Sequence, residues 1–257
     1  MLTAILSSLV FTGPALASSP LSFWKAPARD GGYEKISAKF YVDPSSTWKT
    51  GYYASTQASF AGHDVQYFGI QPREGQYSGH LTYSVFGKGS SVGDPARCSG
   101  GADGGAGVSC SLDGINLNKG EWYEIVSAVV EHGDKGRRWN GTLIDSQGKQ
   151  TYIASFWTDD SYGPLSGDGA QWLEWYYFNG IYETTTPEQR DCQPPFTVKY
   201  ERPTLYVGDQ QVKAKDTGKD SKWTIDDKCA VKANDPNYSV EHHDAYVQIN
   251  GGIHSPK

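Results

Sequence analysis

The sequence predicts an all-β protein, an antiparallel β-sandwich of the jelly-roll or lectin-like type. Apolar residues alternate with period two, short strand-like runs are bounded by Gly, Pro, Asp or Ser, and no segment carries a sustained helical stripe. Regularly spaced short strands with turn residues between them are typical of two packed antiparallel sheets.

The individual strands follow from this pattern. From residue 35 to 42 every second residue is apolar, which predicts a strand with one buried face. The turn-forming residues Asp145 to Gly148 predict a hairpin between residues 142 and 153. The other predicted strands are rich in aromatic and β-branched residues and lie at 52–60, 65–71, 81–86, 122–130, 138–144, 152–157 and 172–178.

The N-terminus has the features of a signal peptide. Residues 2–11 form an apolar run too short to span a bilayer, and Ala15 and Ala17 form an A-x-A pattern that predicts cleavage after Ala17. A buried N-terminal strand is the alternative. We expect a secreted, extracellular monomer with no membrane partner. Its predicted parts are a signal peptide (1–17), a β-sandwich domain (18–208) and an extension (209–257) of edge strands or loops pinned by Cys229.

The four cysteines of an exported chain predict two disulfides, for which three pairings exist. Proximity in the sequence favours Cys98 with Cys110, and Cys192 with Cys229. Zinc binding is the alternative, but no pair of cysteines has the C-x-x-C spacing.

The net charge excludes one class of partner, and two sequence motifs indicate glycosylation. The formal net charge of −6 argues against nucleic acid, whose binding depends on clustered Lys and Arg. Asn140 and Asn237 each begin an N-x-S/T motif, so both are candidate glycan acceptors on a secretory route.

Three segments between residues 33 and 178 form a distinctive combination. They are an aromatic-Gly-x-Gln strand at 67–71, the strand at 81–87, and the glycine-rich segment bounded by Cys98 and Cys110. Together they resemble a family of secreted bacterial and fungal domains of unknown function. The resemblance implies a β-sandwich placed outside the cell, and it transfers no catalytic residues.

The glycine-rich segment has one charged residue, Asp103. Its glycines permit positive φ and close backbone approach. Calcium is a candidate cofactor here, held by Asp103, Asp113 and backbone carbonyls. A disulfide-stapled surface loop without any metal is the alternative that we prefer, because few carboxylates lie nearby in the sequence.

Candidate catalytic side chains lie on two adjacent predicted strands and around them. His63, His80 and Tyr83 could exchange protons with a substrate. Gln71 and Arg73 could position a sugar or neutralise a uronate carboxylate, as lyase chemistry requires. The alternative is that these polar groups only satisfy the backbone and solvent at a sheet edge.

The run from 171 to 178 is aromatic on both faces. Trp172, Glu174 and Tyr176 share one face and are candidate substrate-binding residues, because rings stack on sugar C–H faces and a carboxylate binds hydroxyls. A central strand buried on both sides is the alternative. A glycosidase needs a second carboxylate, and the preceding residues offer the aspartates at 159, 160 and 168.

These features predict a secreted carbohydrate-active protein that acts on an extracellular polysaccharide, as a lyase or a hydrolase if it is an enzyme. A non-catalytic, lectin-like module that binds glycans is one alternative. A secreted protein-binding or defence-related domain with exposed Trp and Tyr anchors is the other.

Overall fold

The computed structural model describes residues 19–62, 64–74, 79–176, 194–223 and 238–252. In these residues the chain forms β-strands and one short 3-10 helix, Asp160–Tyr162. No helix among them is long and apolar enough to cross a membrane. The first nine strands are β1 (Ser19–Lys25), β2 (Lys35–Val42), β3 (Tyr52–Phe60), β4 (Val65–Pro72), β5 (Gly79–Phe86), β6 (Ser90–Val92), β7 (Cys98–Ala102), β8 (Gly105–Ile115) and β9 (Trp122–Gly133). The others are β10 (Gly136–Ile144), β11 (Gln150–Thr158), β12 (Leu165–Trp175), β13 (Phe196–Tyr200), β14 (Thr204–Val207), β15 (Gln210–Lys213), β16 (Lys215–Trp223), β17 (Ser239–His242) and β18 (Val247–Gly251).

Two antiparallel sheets pack face to face. The eight-stranded sheet has the order β16-β1-β12-β3-β4-β5-β8-β7. The ten-stranded sheet has the order β17-β18-β13-β2-β9-β10-β11-β6, with β14 and β15 attached beside β2. The predicted all-β antiparallel sandwich is therefore confirmed.

Aromatic rings from the two sheets meet in the core. Tyr83 of β5 packs on Phe156 of β11 with ring centroids 4.7 Å apart, and Phe60 of β3 meets Trp139 of β10 edge-on at 5.5 Å. All four residues are at most 3% exposed. Because apolar burial contributes roughly 25 cal/mol per Å², these large rings supply much of the force that holds the sheets together.

The predicted strands agree with β2, β3, β4, β5, β9, β10, β11 and β12 in position. The hairpin between 142 and 153 is also present, and the Gly148 N–H donates to the Asp145 carbonyl at 2.9 Å. The predicted strand at 172–178 ends earlier, because β12 stops at Trp175. The strand begins seven residues earlier than predicted, at Leu165, since glycines had concealed its first half.

The segment from Cys98 to Cys110 is a β-hairpin rather than a loop. β7 and β8 pair along its length, and Ala102 pairs with Gly105 across a two-residue turn. The turn residues Asp103 and Gly104 have φ of 46° and 78°, which suits the left-handed conformation that such a turn requires. Cys98 lies opposite Cys110 and forms the predicted disulfide.

The strands after Gly208 complete both sheets. β16 pairs with β1 at one edge of the eight-stranded sheet, and β17 and β18 lie at one edge of the ten-stranded sheet. A polar cluster, which we call the edge clamp, joins these edges. His242 of β17 hydrogen bonds to Asp216 and Asp220 of β16, and buried Arg202 donates to Asp216. The clamp ties the two sheets together on this side of the sandwich.

Several sequence predictions fall on residues outside the described ranges. These are the signal peptide, His63, the pair Cys192 and Cys229, and the acceptor Asn237. Asn140 lies inside β10, and its carboxamide oxygen is buried. Its glycosylation stays a prediction.

The disulfide can be tested through stability. We expect Cys98→Ala combined with Cys110→Ala to lower the free energy of unfolding by about 3 kcal/mol, because the cross-link restricts the unfolded chain. Chemical denaturation of both forms measures the difference. Ser109→Ala on the same hairpin is the matched control, and an unchanged free energy in the double variant would contradict the expectation.

The edge clamp should make stability depend on pH. Burial lowers the pKa of His242, but the hydrogen bonds that its ring donates to Asp220 and Asp216 outweigh burial and place that pKa above 6.5. Its stabilisation is therefore complete below pH 6.5 and is lost as the pH rises through the raised pKa. Burial opposes the shift at Asp216 too, but Arg202 holds the pKa of that carboxyl below 3.8, so acid removes the clamp only below that value.

We expect His242→Gln to flatten the pH dependence of unfolding between mildly acidic and mildly alkaline conditions. Denaturation midpoints over that range measure the effect. His132→Gln, which alters an exposed histidine on β9, is the control. A profile for His242→Gln as steep as that of the unaltered chain would argue against the clamp.

Candidate functional site

The outer face of the eight-stranded sheet combines aromatic and polar side chains. Side chains alternate along a strand, so residues paired across neighbouring strands share a face. Trp172 pairs with Ser55, and Ser55 pairs with Gly69, on the outer face. Leu173 and Trp175 point into the core and are 1% exposed. β12 is therefore a core strand on one side and part of an open surface on the other.

Three rings on this face touch one another and are called here the aromatic triad: Tyr53 of β3, Tyr67 of β4 and Trp172 of β12. Their centroids lie 5.8 Å (Tyr53 to Tyr67), 5.9 Å (Tyr53 to Trp172) and 5.8 Å (Tyr67 to Trp172) apart. All three contacts are edge-to-face, and Phe86 packs on Tyr67 at 4.7 Å. These contacts hold the rings in place, while Tyr67 and Trp172 stay partly exposed.

Two carboxylates bind the polar edges of the triad. The Tyr67 hydroxyl donates to Asp103 Oδ2 at 2.8 Å, and the Trp172 indole N–H donates to Glu174 Oε2 at 3.3 Å. Burial raises the pKa of Tyr67 well above its ordinary value, and the charges of Asp103 and Glu174 raise it further. Tyr67 is therefore a neutral hydrogen-bond donor at any physiological pH.

A polar group lies where β4 and β12 end. Arg73 donates to Gln71 Oε1 at 2.6 Å and to the Tyr176 hydroxyl at 3.1 Å. The indole N–H of Trp48 donates to the Arg73 carbonyl at 3.2 Å. Three of the predicted substrate-binding residues are thus in direct contact. Tyr176 reaches the group from the residue after β12 rather than from within the strand.

His80 lies on the same face beside this group. It pairs with Gln71 on one side and with Asp113 on the other. His80 Nδ1 is 2.6 Å from Asp113 Oδ1. A carboxylate at Nδ1 favours the tautomer that carries its proton there, so Nε2 is the basic nitrogen. The pair can therefore accept a proton from a bound molecule.

Tyr83 does not belong to this face. It follows Thr82 on β5, so alternation turns its side chain toward the ten-stranded sheet, where it is 0% exposed. Its hydroxyl is 2.7 Å from Ser127 Oγ, and burial raises its pKa well above the ordinary value. The prediction that Tyr83 acts as an acid or base beside His80 is wrong, because the two side chains lie on opposite sides of the sheet.

Asp103 and Asp113 cannot share one calcium ion. β8 separates them, and the eight residue-to-residue steps from Gly105 to Asp113 span about 27 Å at roughly 3.4 Å per step. In the part of the chain that the structure describes, no group of three or more His, Cys, Asp and Glu side chains could hold a metal ion. The predicted calcium site shared by Asp103 and Asp113 is therefore wrong, whereas calcium binding at Asp103 stays a prediction.

The aspartates considered as partners of Glu174 lie far from it. Asp168 is six residues earlier on β12, which corresponds to about 20 Å, whereas glycosidase carboxylates lie about 5 to 10 Å apart. Asp159 caps the 3-10 helix and Asp160 faces Arg137, both before β12 begins. None of them completes a glycosidase pair with Glu174.

Comparison with known proteins gives distant structural likenesses. No family model matches the chain, and no curated protein matches it significantly. A scytalido-glutamic peptidase is 12% identical, with a TM-score of 0.48 over 91% of this chain and 98% of the peptidase. Galectin-Va of Xenopus laevis is 6% identical, with a TM-score of 0.33 over 62% of this chain and 92% of the galectin. An alginate lyase of Aplysia kurodai is 10% identical, with a TM-score of 0.31 over 58% of this chain and 71% of the lyase. These likenesses assign no residue role and no activity to this chain.

Sequence reasoning did not select Tyr53 or Phe86. Tyr52 and Tyr53 are adjacent, and the sequence does not show which of them faces the core. The register decides, because Tyr53 pairs with Glu174 on the outer face. Tyr52 instead packs on Phe196 of the other sheet, with ring centroids 4.5 Å apart.

The placement of Tyr83 is testable. We expect Tyr83→Phe to lower the free energy of unfolding by about 1 kcal/mol, because it removes one buried hydrogen bond to Ser127. Chemical denaturation measures this loss. Ligand binding at the outer face should not change, and a selective loss of binding or activity in a stably folded Tyr83→Phe variant would contradict the core placement.

Proposed function

We propose that this protein is secreted and binds an extracellular polysaccharide on the outer face of its eight-stranded sheet. The observation that carries the proposal is the aromatic triad, three rings in mutual contact, of which Tyr67 and Trp172 are partly exposed and each donates a hydrogen bond to a carboxylate. Sugars present apolar C–H faces and a rim of hydroxyls. Exposed rings beside charged acceptors complement both features.

The polar groups around the triad support the same proposal. Thr82 donates to the Tyr53 hydroxyl at 2.6 Å, next to the triad. Gln71, Arg73 and His80 lie further along the sheet on the same side. Together they offer donors and acceptors over several strands, which suits a chain of sugars more than a single one. The disulfide between Cys98 and Cys110 supports a location outside the cell.

The triad can be tested by removing one ring. We expect Trp172→Ala to weaken glycan binding about tenfold or more, because a stacking ring contributes on the order of 1.5 kcal/mol or more when it is covered. A glycan array identifies the ligand and calorimetry measures the affinity. Trp122→Ala is the matched control, since Trp122 packs on Tyr41 on the outer face of the ten-stranded sheet.

Two results would overturn this proposal. Equal weakening by Trp172→Ala and Trp122→Ala would mean that the outer face of the eight-stranded sheet is not the binding surface. Failure to retain any glycan, together with tight capture of a defined protein, would favour a protein-binding domain.

A second candidate function is a polysaccharide lyase, which the contact between His80 and Asp113 favours. His80 Nε2 would take the proton at C5 of a uronate residue, the electron pair of that C–H bond would form a C4–C5 double bond as the C4–O bond breaks, and a solvent water would protonate the departing sugar oxygen. Arg73, two residues beyond Gln71, would neutralise the uronate carboxylate.

The lyase candidate predicts an unsaturated product. We expect uronate polymers to gain ultraviolet absorbance with the unaltered protein, and His80→Gln to reduce the rate by about a hundredfold or more. Arg138→Gln, on the ten-stranded sheet, should leave the rate unchanged. Binding of glycans without product from any uronate polymer would rule out the lyase and leave the glycan-binding proposal standing.

A further inference from the structure

We infer that the aromatic triad binds a cationic group, and that the polysaccharide it takes carries free, protonated amino sugars. This inference rests on the proposed glycan-binding function and names its substrate class. Three features of the outer face carry it: the mutual geometry of the rings, the position of the two carboxylates, and the distribution of charge along the sheet.

The ring geometry suits a cation. Tyr67 and Trp172, the two partly exposed rings of the triad, have centroids 5.8 Å apart, so both can come within about 6 Å of one ammonium group, which is the range of a cation–π interaction. Tyr53 is 4% exposed and packs edge-to-face against both rings. Tyr and Trp are rings with strongly negative faces, and two such rings with a carboxylate at the polar edge of each favour a compact charged group.

The carboxylates strengthen this preference. The Tyr67 hydroxyl and the Trp172 indole N–H each donate to a carboxylate, Asp103 and Glu174 respectively. Donation to an anion increases the electron density of the donating ring, and it leaves the carboxylate charge beside the ring. Burial is the larger cause of the raised pKa of Tyr53 and of Tyr67, and the charges of Asp103 and Glu174 raise both pKa values further. The two carboxylates therefore act on the same two rings. A bound ammonium would meet two anions and the two partly exposed rings, Tyr67 and Trp172, together.

An anionic sugar is disfavoured at the same spot. A uronate over the triad would meet the charges of Asp103 and Glu174, and like charges at close range oppose binding. Arg73 is a cation at the end of this face. It donates hydrogen bonds to Gln71 and Tyr176 where β4 and β12 end. The chain carries a net charge of −6, so a cationic polymer is also attracted at long range.

The position of Asp103 is fixed by the fold. It lies at the tip of the β7–β8 hairpin, in a two-residue turn, and has a φ of 46°. Asp tolerates this conformation better than most residues. The disulfide joins the two strands of the hairpin, so the carboxylate is held over Tyr67 before any ligand arrives. Such preorganisation lowers the entropic cost of binding.

The test compares two oligosaccharides that differ only in the nitrogen substituent at C2, which is a charged ammonium in one and a neutral acetamide in the other. Calorimetry measures the affinity of the full secreted protein for an oligomer of glucosamine and for the N-acetylated oligomer of the same length, below the pKa of the amine. We expect the glucosamine oligomer to bind at least about tenfold more tightly, and Glu174→Gln and Asp103→Asn each to reduce that preference about tenfold. Glu124→Gln, on the outer face of the other sheet, makes the same change of charge and should leave the preference intact.

The outcomes separate this inference from the proposed function. Equal affinity for both oligomers, or a preference that survives Glu174→Gln with Asp103→Asn, would overturn the amino-sugar inference and leave glycan binding in place. Tighter binding of a uronate oligomer would overturn it as well. Failure to bind any glycan would remove both. Thermal unfolding of each variant shows that it is folded, and Asp103→Asn keeps a residue that accepts positive φ.

Discussion

The rings that meet between the two sheets fix the direction of every side chain on the outer surface. Because Phe68 and Ile70 of β4 are buried against the other sheet, their neighbours Tyr67 and Gln71 must face away from it. A slip of one residue would exchange the two sets, burying polar groups and exposing the apolar ones. The cost of that exchange makes the register unambiguous. The surface is thus a consequence of the core.

The aromatic triad shows how two parts of the chain distant in sequence are combined. Tyr53, Tyr67 and Trp172 come from strands that are neighbours in the sheet, although more than a hundred residues separate the first ring from the last. The hairpin of β7 and β8, whose strands lie two and three positions from β4 in the sheet order, then brings Asp103 over Tyr67. Neither contact depends on a flexible loop in the described structure. The rings and the Asp103 carboxylate are therefore held by contacts between paired strands and a two-residue turn.

Much of the fold could be read from the sequence, because strand alternation and turn residues are local signals. The predicted strands from 35 to 157 agree in position with those observed, and the hairpin at Asp145 follows directly from its turn. The strands in the segment after Cys98 and at the start of β12 were not predicted, because glycine carries no side chain and therefore shows no alternation. The sequence left the part after Gly208 open between edge strands and loops, because its many charges are typical of loops.

The candidate site was less predictable, because faces depend on cross-strand register. Gln71 and Arg73 are two positions apart in the sequence, so their presence at one site could be predicted. The contact of Tyr67 with Asp103 requires the β7–β8 hairpin to lie beside β4, which no sequence spacing reveals. Tyr83 was misplaced for a different reason, because alternation within one strand was overlooked. Tyr83 and His80 are three positions apart on β5, and an odd offset in a strand places two side chains on opposite faces.

The edges of the two sheets have a consequence for how the molecule behaves at high concentration. Unpaired edge strands invite other copies to add strands to a sheet, which leads to aggregates. Here β16 exposes alternating Lys215, Asp216, Lys219 and Asp220, while β6 has three residues and β17 has four. β7, at another edge, is rich in glycine and is cross-linked to β8 by the disulfide. These four edges of the described sheets are therefore poor templates for a further strand, which lowers the tendency of crowded copies to join into one extended sheet.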